Sequence, residues 1–249
     1  HISCIPPEVV DRLLPGQRVW IDDGKVGAAV ESVDTEGALL RVFRAPSKGV
    51  WLRPERGLNL PDTKLELSHL TPKDFEDLDF VVEHADIVGF SFVQDGQAVD
   101  ELVQALRQRH GSHLGILAKI ETRSALKSLP EIIIHGAGQR PFGIMIARGD
   151  LALEIGYERL AEIQEEILWL CEAAHIPVVW ATQVLESMVK EGVPSRAEIT
   201  DAAMSERADC VMLNKGPFVL EAMDVLNDVL NRMEAHQHKK MAQLRALHW

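Results

Sequence analysis

Five short apolar runs recur along the chain, and each stops at polar residues. Asp86-Ile-Val-Gly-Phe90 ends at Ser91, and Gly115-Ile-Leu-Ala118 runs into Lys119-Ile-Glu121. Gly143-Ile-Met-Ile-Ala147 ends at Arg148-Gly-Asp150, Pro177-Val-Val-Trp-Ala181 at Thr182-Gln183, and Val211-Met-Leu213 at Asn214-Lys215. Apolar runs without alternation belong to parallel strands covered on both faces. Between them, apolar residues return at helical spacing: Val99, Leu102, Val103 and Leu106, then Leu160, Ile163, Ile167 and Leu168. A third helical pattern spans Val219 to His238 through Leu220, Met223, Leu226, Val229, Leu230 and Met233. Strands alternating with helices predict an α/β fold with a parallel sheet. Polar groups at the C-terminal ends of such strands stand where α/β sheets and barrels place their chemistry.

The first 56 residues follow another pattern. Gln17 to Ile21, Val26 to Val33 and Leu39 to Phe43 are β-prone runs, separated by the turn signals Asp22-Asp-Gly24 and Asp34-Thr-Glu-Gly37. They predict a small β-rich module, and Gly57-Leu-Asn-Leu-Pro61 reads as the crossing to the α/β region. The last stretch, His236 to Trp249, is basic and amphipathic and reads as an extension of a terminal helix. The expected organisation is a β-rich module over 1–56, a (β/α) region over 57–238 and a helical tail over 239–249.

The 249 residues suffice for one large domain, or a domain with a small module. A net charge of -12 and a pI near 5.3 argue against a general nucleic-acid or anionic-membrane binder, though not against a local cationic site. Cys4, Cys171 and Cys210 show no metal-ligand spacing and read as reduced core thiols of a cytoplasmic protein. No apolar run approaches the roughly 18 residues of a membrane span. The first residue is not Met, so the chain reads as a piece of a longer protein.

Lys119 and Glu121 lie two apart, so both project from one face of a strand otherwise made of core residues. Burying an ammonium and a carboxylate is unfavourable unless they pair or bind something charged. The pattern is therefore a structural ion pair, with Glu121 or Asp150 as partner of Lys119, or a site.

The order of motifs resembles the pyruvate kinase family. Ile116 to Leu126 (ILAKIETRSAL) fits its active-site signature, and Met145 to Glu154 (MIARGDLALE) its metal-and-substrate loop. Ala181 to Lys190 (ATQVLESMVK), Pro194 to Glu198 (PSRAE) and Ala208 to Leu213 (ADCVML) follow in sequence. Upstream, Ile21 to Gly24 (IDDG) and Gly57 to Pro61 (GLNLP) match its lid domain and the return to its barrel. The resemblance implies a TIM-type (β/α)8 barrel, present here as about strands four to eight with part of an inserted lid. An open piece of a barrel leaves two unpaired edges. The natural protein is therefore expected to be longer at its N-terminus, or to complete the barrel with other residues.

For function, the resemblance implies transfer of a phosphoryl group from phosphoenolpyruvate to ADP, yielding pyruvate and ATP in glycolysis. Lys119 and Thr182 match catalytic positions. Gly149 and Asp150 match a turn whose backbone N–H groups hold the substrate carboxylate. Glu121 and Asp150 match the two ligands of Mg²⁺ (or Mn²⁺). Asp23 matches a lid aspartate and Arg56 a nucleotide contact, Arg148 a supporting charge, and Ser91 and Phe92 a segment lining the pocket. The family's K⁺ ligands would lie outside this chain. Cytoplasmic location and a homo-oligomer, with Glu186 to Arg196 at a subunit contact, complete the expectation.

One segment departs from the family. After Leu213 it usually reads Ser-Gly-Glu-Thr, whereas this chain reads Asn214-Lys-Gly-Pro217. The change touches the proton-delivery network. It keeps two alternatives in play: a Mg²⁺-dependent lyase acting through pyruvate enolate, and a catalytically impaired metabolite-binding homologue.

Overall fold

The computed structural model describes residues 2–65 and 67–237. The whole of the expected tail, 239–249, lies outside them, as does His238. Residues of the first part form a four-stranded antiparallel sheet from β1 (Arg18–Ile21), β2 (Val26–Asp34), β3 (Gly37–Arg44) and β4 (Leu58–Asn59), in the order β3-β2-β1-β4. Its hairpins follow from their turn residues. Lys25 N–H closes on Asp22 O at 3.1 Å while Asp23 and Gly24 take φ of 55° and 77°, the left-handed pair that an Asp-Gly turn supplies. At the next turn the Asp34 side chain accepts from the N–H groups of Glu36 and Gly37 at 2.8 and 3.2 Å. Val19, Ile21, Val26, Val30 and Leu60 bury the inner face of this sheet. Because β4 comes from residues 58–59, the sheet draws on both sides of Gly57. Asp62 locks its base by accepting from Arg18 N–H, Nε and Nη2 at 3.0, 2.8 and 2.7 Å.

The second sheet is parallel, with strand order β5-β6-β7-β8-β9. The strands are β5 (Ile87–Phe90), β6 (Gly115–Ile120), β7 (Phe142–Ala147), β8 (Val178–Ala181) and β9 (Cys210–Val211). Helices α1 (Pro72–His84), α2 (Gly96–Gln108), α3 (Arg123–Lys127), α4 (Leu129–Ala137), α5 (Arg148–Ile155), α6 (Tyr157–Ala174), α7 (Glu186–Glu191), α8 (Arg196–Met204) and α9 (Val219–Gln237) alternate with them. This is the α/β arc of a TIM-type barrel, and among the described residues it does not close. One face carries Ile116, Ala118, Ile120, Ile144, Ile146 and Trp180, buried against Leu102, Leu106, Ile132, Ile163 and Ile167 of the helices. The opposite face is more open. Leu117, Lys119, Met145 and Val179 are half-buried there, and Ile87 on the edge strand is 63% exposed.

Two expectations need correction. Cys210 is not a core thiol: it sits exposed on edge strand β9, in register with Val179 on the open face. Cys171 is buried as expected, and burial pushes its thiol up to about 12. Gly149 and Asp150 do not open a simple turn. They form the first turn of α5, which starts directly at the end of β7.

Candidate active site

Parallel strands bring all their C-terminal ends to one rim, so Ser91, Lys119, Glu121, Asp150 and Thr182 gather there. Lys119 Nζ lies 2.7 Å from Glu121 Oε1 and donates to Ser91 Oγ at 2.8 Å. The other oxygen of Glu121 accepts the Phe92 N–H at 2.5 Å. Phe92 itself takes a left-handed φ of 53°. Glu121 is only 2% exposed. Burial pushes its carboxyl above the usual carboxylate range; Lys119 and the Phe92 N–H pull it back, and the nearby charge of Asp150 pushes it up again. Asp150 thus stands within electrostatic reach of Glu121. The structure shows the ion-paired reading of Lys119, and it sets the pair on the rim formed by the C-terminal strand ends.

The start of α5 is built by its neighbours. Its cap residue is Ala147, which has no side-chain acceptor. Thr182 on the adjacent strand end supplies one: its Oγ1 accepts the Gly149 N–H at 2.8 Å, satisfying a donor that the helix leaves open. Thr182 adopts φ of 67°, followed by Gln183 at 55° and Leu185 at 47°. A β-branched residue in this region is an outlier that its surroundings must enforce. Arg148 enforces it. Its buried guanidinium donates to Ala181 O at 3.0 Å and to Thr182 O, pairs with Asp201, and lies 4.8 Å over the Trp180 ring. Asp150 Oδ1 accepts from Asn59 Nδ2 at 2.9 Å, a bond reaching from the small sheet to the barrel rim.

Asp23 and Arg56 are not brought together. Asp23 is exposed at the hairpin tip, and its buried neighbour Asp22 meets Arg56 Nη1 at 3.4 Å and Lys25 Nζ at 2.9 Å. The Lys25 hydrogen bond, then the charges of Arg56, Lys25 and Arg53, hold the Asp22 carboxyl below its ordinary range. The same hairpin leans on α5, so that a Cβ on Gly24 would meet Leu153 Cδ2 at 2.5 Å. Sequence reasoning missed Asn59 as a site residue, although it lies inside the Gly57 to Pro61 motif. It also missed Trp180 as the platform under Arg148. Among the described residues no group of three or more His, Cys, Asp and Glu forms a ready-made metal cluster.

The sequence profile of the family described as "Pyruvate kinase, barrel domain" matches residues 2–223. The chain belongs to the pyruvate kinase family. It is 35% identical over 238 residues to "Pyruvate kinase" of Agrobacterium vitis, covering 93% of this chain and 47% of that relative. It is 36% identical over 236 residues to "Pyruvate kinase PKLR" of Homo sapiens, covering 92% and 39%. Against "Pyruvate kinase 2" of Synechocystis it is 35% identical over 243 residues, covering 94% and 39%. The chain thus spans about half or less of the length of these pyruvate kinases. No helix among the described residues is long and apolar enough to cross a membrane.

Proposed function

We propose that the rim carries a pyruvate kinase site, which moves a phosphoryl group from phosphoenolpyruvate to ADP through enolpyruvate. The observation that carries the reading is the joining of Lys119, Glu121, Asp150 and Thr182 on one rim in a chain of this family. In this reading Glu121 and Asp150 hold Mg²⁺ or Mn²⁺. The donor set suits a hard cation such as Mg²⁺, which takes few protein carboxylates and completes its octahedron with water and substrate oxygens; here there are two carboxylates, one deeply buried. Burial and the charge of Asp150 disfavour the ionised form of Glu121, an imbalance that a nearby cation reverses. When bound, the cation polarises substrate oxygens and offsets charge.

The remaining roles belong to the chain. Lys119, steered by Ser91 and Glu121, presents its ammonium to the transferring phosphoryl group and the developing enolate. The Gly149 and Asp150 N–H groups, at the positive end of α5, receive the substrate carboxylate, which shares or displaces the Thr182 bond to Gly149. Thr182 Oγ1 accepts from Gly149, so its own hydrogen is free to relay a proton toward the enolate carbon through water. The β-rich module of residues 1–56 serves as the lid, with Asp23 and Arg56 turned to the nucleotide. Residues 37–54 add Arg41, Arg44, Lys48 and Arg53 and contain no acid, which favours phosphate. No residue of this chain is proposed to hold K⁺. We place the protein in the cytoplasm as a homo-oligomer, with α7 and its following loop at a subunit contact.

The test is a coupled assay of the full-length protein with phosphoenolpyruvate, ADP, Mg²⁺ and K⁺. Formation of ATP and pyruvate in equal amounts is expected, and no turnover at any ADP concentration overturns the proposal. The Asn214 to Pro217 departure favours one second reading, cleavage of 4-hydroxy-2-oxo acids through the same enolate. Pyruvate release from such acids, without phosphoryl transfer, would select it.

A further inference from the structure

We infer that Asn59 is a positioning residue that couples the pose of the lid to cation binding at Asp150. The inference rests on the proposed role of Asp150 as a metal ligand. Asn59 is 6% exposed, and its Nδ2 donates to Asp150 Oδ1 at 2.9 Å. A neutral amide orients a carboxylate without cancelling its charge, so Asp150 keeps its attraction for a cation while one oxygen is held. Asn59 lies just past the 1–56 module, but its backbone is bonded into the small sheet. It pairs with Trp20 of β1, and Asp22 N–H donates to Gly57 O at 3.1 Å, so β4, β1 and the Asp22 to Gly24 turn move as one piece. That turn rests on Leu153, one helical turn beyond Asp150. A shift of the lid therefore either breaks the Asn59–Asp150 bond or carries the start of α5 with it. Coupling of this kind is reciprocal: the factor by which a docked lid raises cation affinity is the factor by which the cation raises docking.

The experiment measures two quantities on the full chain. One is Mn²⁺ affinity, read from the free-ion resonance signal. The other is the rate of tryptic cleavage after Lys48, in the exposed segment between β3 and β4, with and without Mn²⁺. In the unaltered chain Mn²⁺ slows cleavage. Asn59→Ala binds Mn²⁺ about tenfold more weakly, the lower end of the loss expected when a ligand's partner is removed, and its cleavage no longer responds to Mn²⁺. Asn59→Asp keeps the shape but sets a carboxylate against Asp150. Its cleavage is faster without Mn²⁺, and the protection by Mn²⁺ is larger than in the unaltered chain. A merely structural Asn59 would instead make both variants change alike, with Mn²⁺ protection preserved in each, and that result overturns the inference. Mn²⁺ binding that is lost in Asp150→Asn yet unaltered in Asn59→Ala overturns the inference and leaves the metal reading standing. Absence of Mn²⁺ binding in the unaltered chain overturns both.

Discussion

Thr182 is held in a left-handed conformation by one bond it accepts at its hydroxyl and another at its carbonyl. Removing the hydroxyl costs α5 its cap. Thr182→Val should lower stability by about 1 kcal/mol in urea unfolding, with Thr182→Ser close to the original. Arg148 stands deeper in the same network, and Arg148→Met should cost about 3 kcal/mol, because Asp201 and two carbonyls lose their donor together. Glu121 makes a prediction about pH. Glu121 and Glu154 are both pushed above the ordinary carboxylate range, in each case chiefly by burial. Stability from a carboxyl group raised on folding is fully present below its ordinary value of 4.5, and is lost as pH climbs through the raised one. Asp22, Asp62 and Glu198 are lowered, so their contribution is already complete above that range. Melting of the metal-free chain from about pH 5 to about pH 8 should therefore show a decline that Glu121→Gln reduces. An equal decline in that variant would contradict the assignment. The spacing of Lys119 and Glu121 was legible in sequence because a strand repeats every two residues. The bonds around them were not: Ser91 and Phe92 lie 28 and 29 residues from Lys119 and Glu121, and the Asn59 bond to Asp150 spans 91.

At the scale of elements, the five apolar runs fall on the five parallel strands, and the three helical patterns fall on α2, α6 and α9. Unbroken apolar runs made the strands readable, and apolar residues at helical spacing the helices. Boundaries set by backbone bonding were less so. Arg148-Gly-Asp150 reads as a loop from its glycine, yet it is helical because Thr182 caps it from another strand. Gly149 has room: a Cβ there would come no closer than 3.7 Å to Thr182 Oγ1. Gly149→Ala should keep stability within about 1 kcal/mol while weakening binding of a carboxylate ligand, separating fold from site in one variant. Gly216 is the contrary case. A Cβ there would stand 2.4 Å from Val189 O of α7, and Phe218 N–H donates to that same carbonyl at 3.1 Å. The departing loop is thus fixed by its backbone against α7. Gly216→Ala should destabilise by about 1–3 kcal/mol in the same unfolding assay.

At the scale of the molecule, β5 and β9 are strand edges without a partner strand among the described residues, and the open face between them exposes Ile87 and Cys210. Such edges and apolar surface favour pairing with further polypeptide. Sedimentation of the isolated chain should show association that grows with concentration, and a monomer that unfolds in one cooperative step would contradict this. The small sheet is tied to the rim by Asn59 and Gly24, so the two sheets meet where the charged groups gather. We propose that Lys119, Glu121, Asp150 and Thr182 form one site for a pyruvate enolate with a divalent cation. Titration calorimetry with oxalate, which mimics that enolate, tests it most directly. Binding is expected to require Mg²⁺ and to be lost in Glu121→Gln and in Asp150→Asn, while both variants stay folded. Binding that is the same without Mg²⁺, or that survives both substitutions, would contradict it.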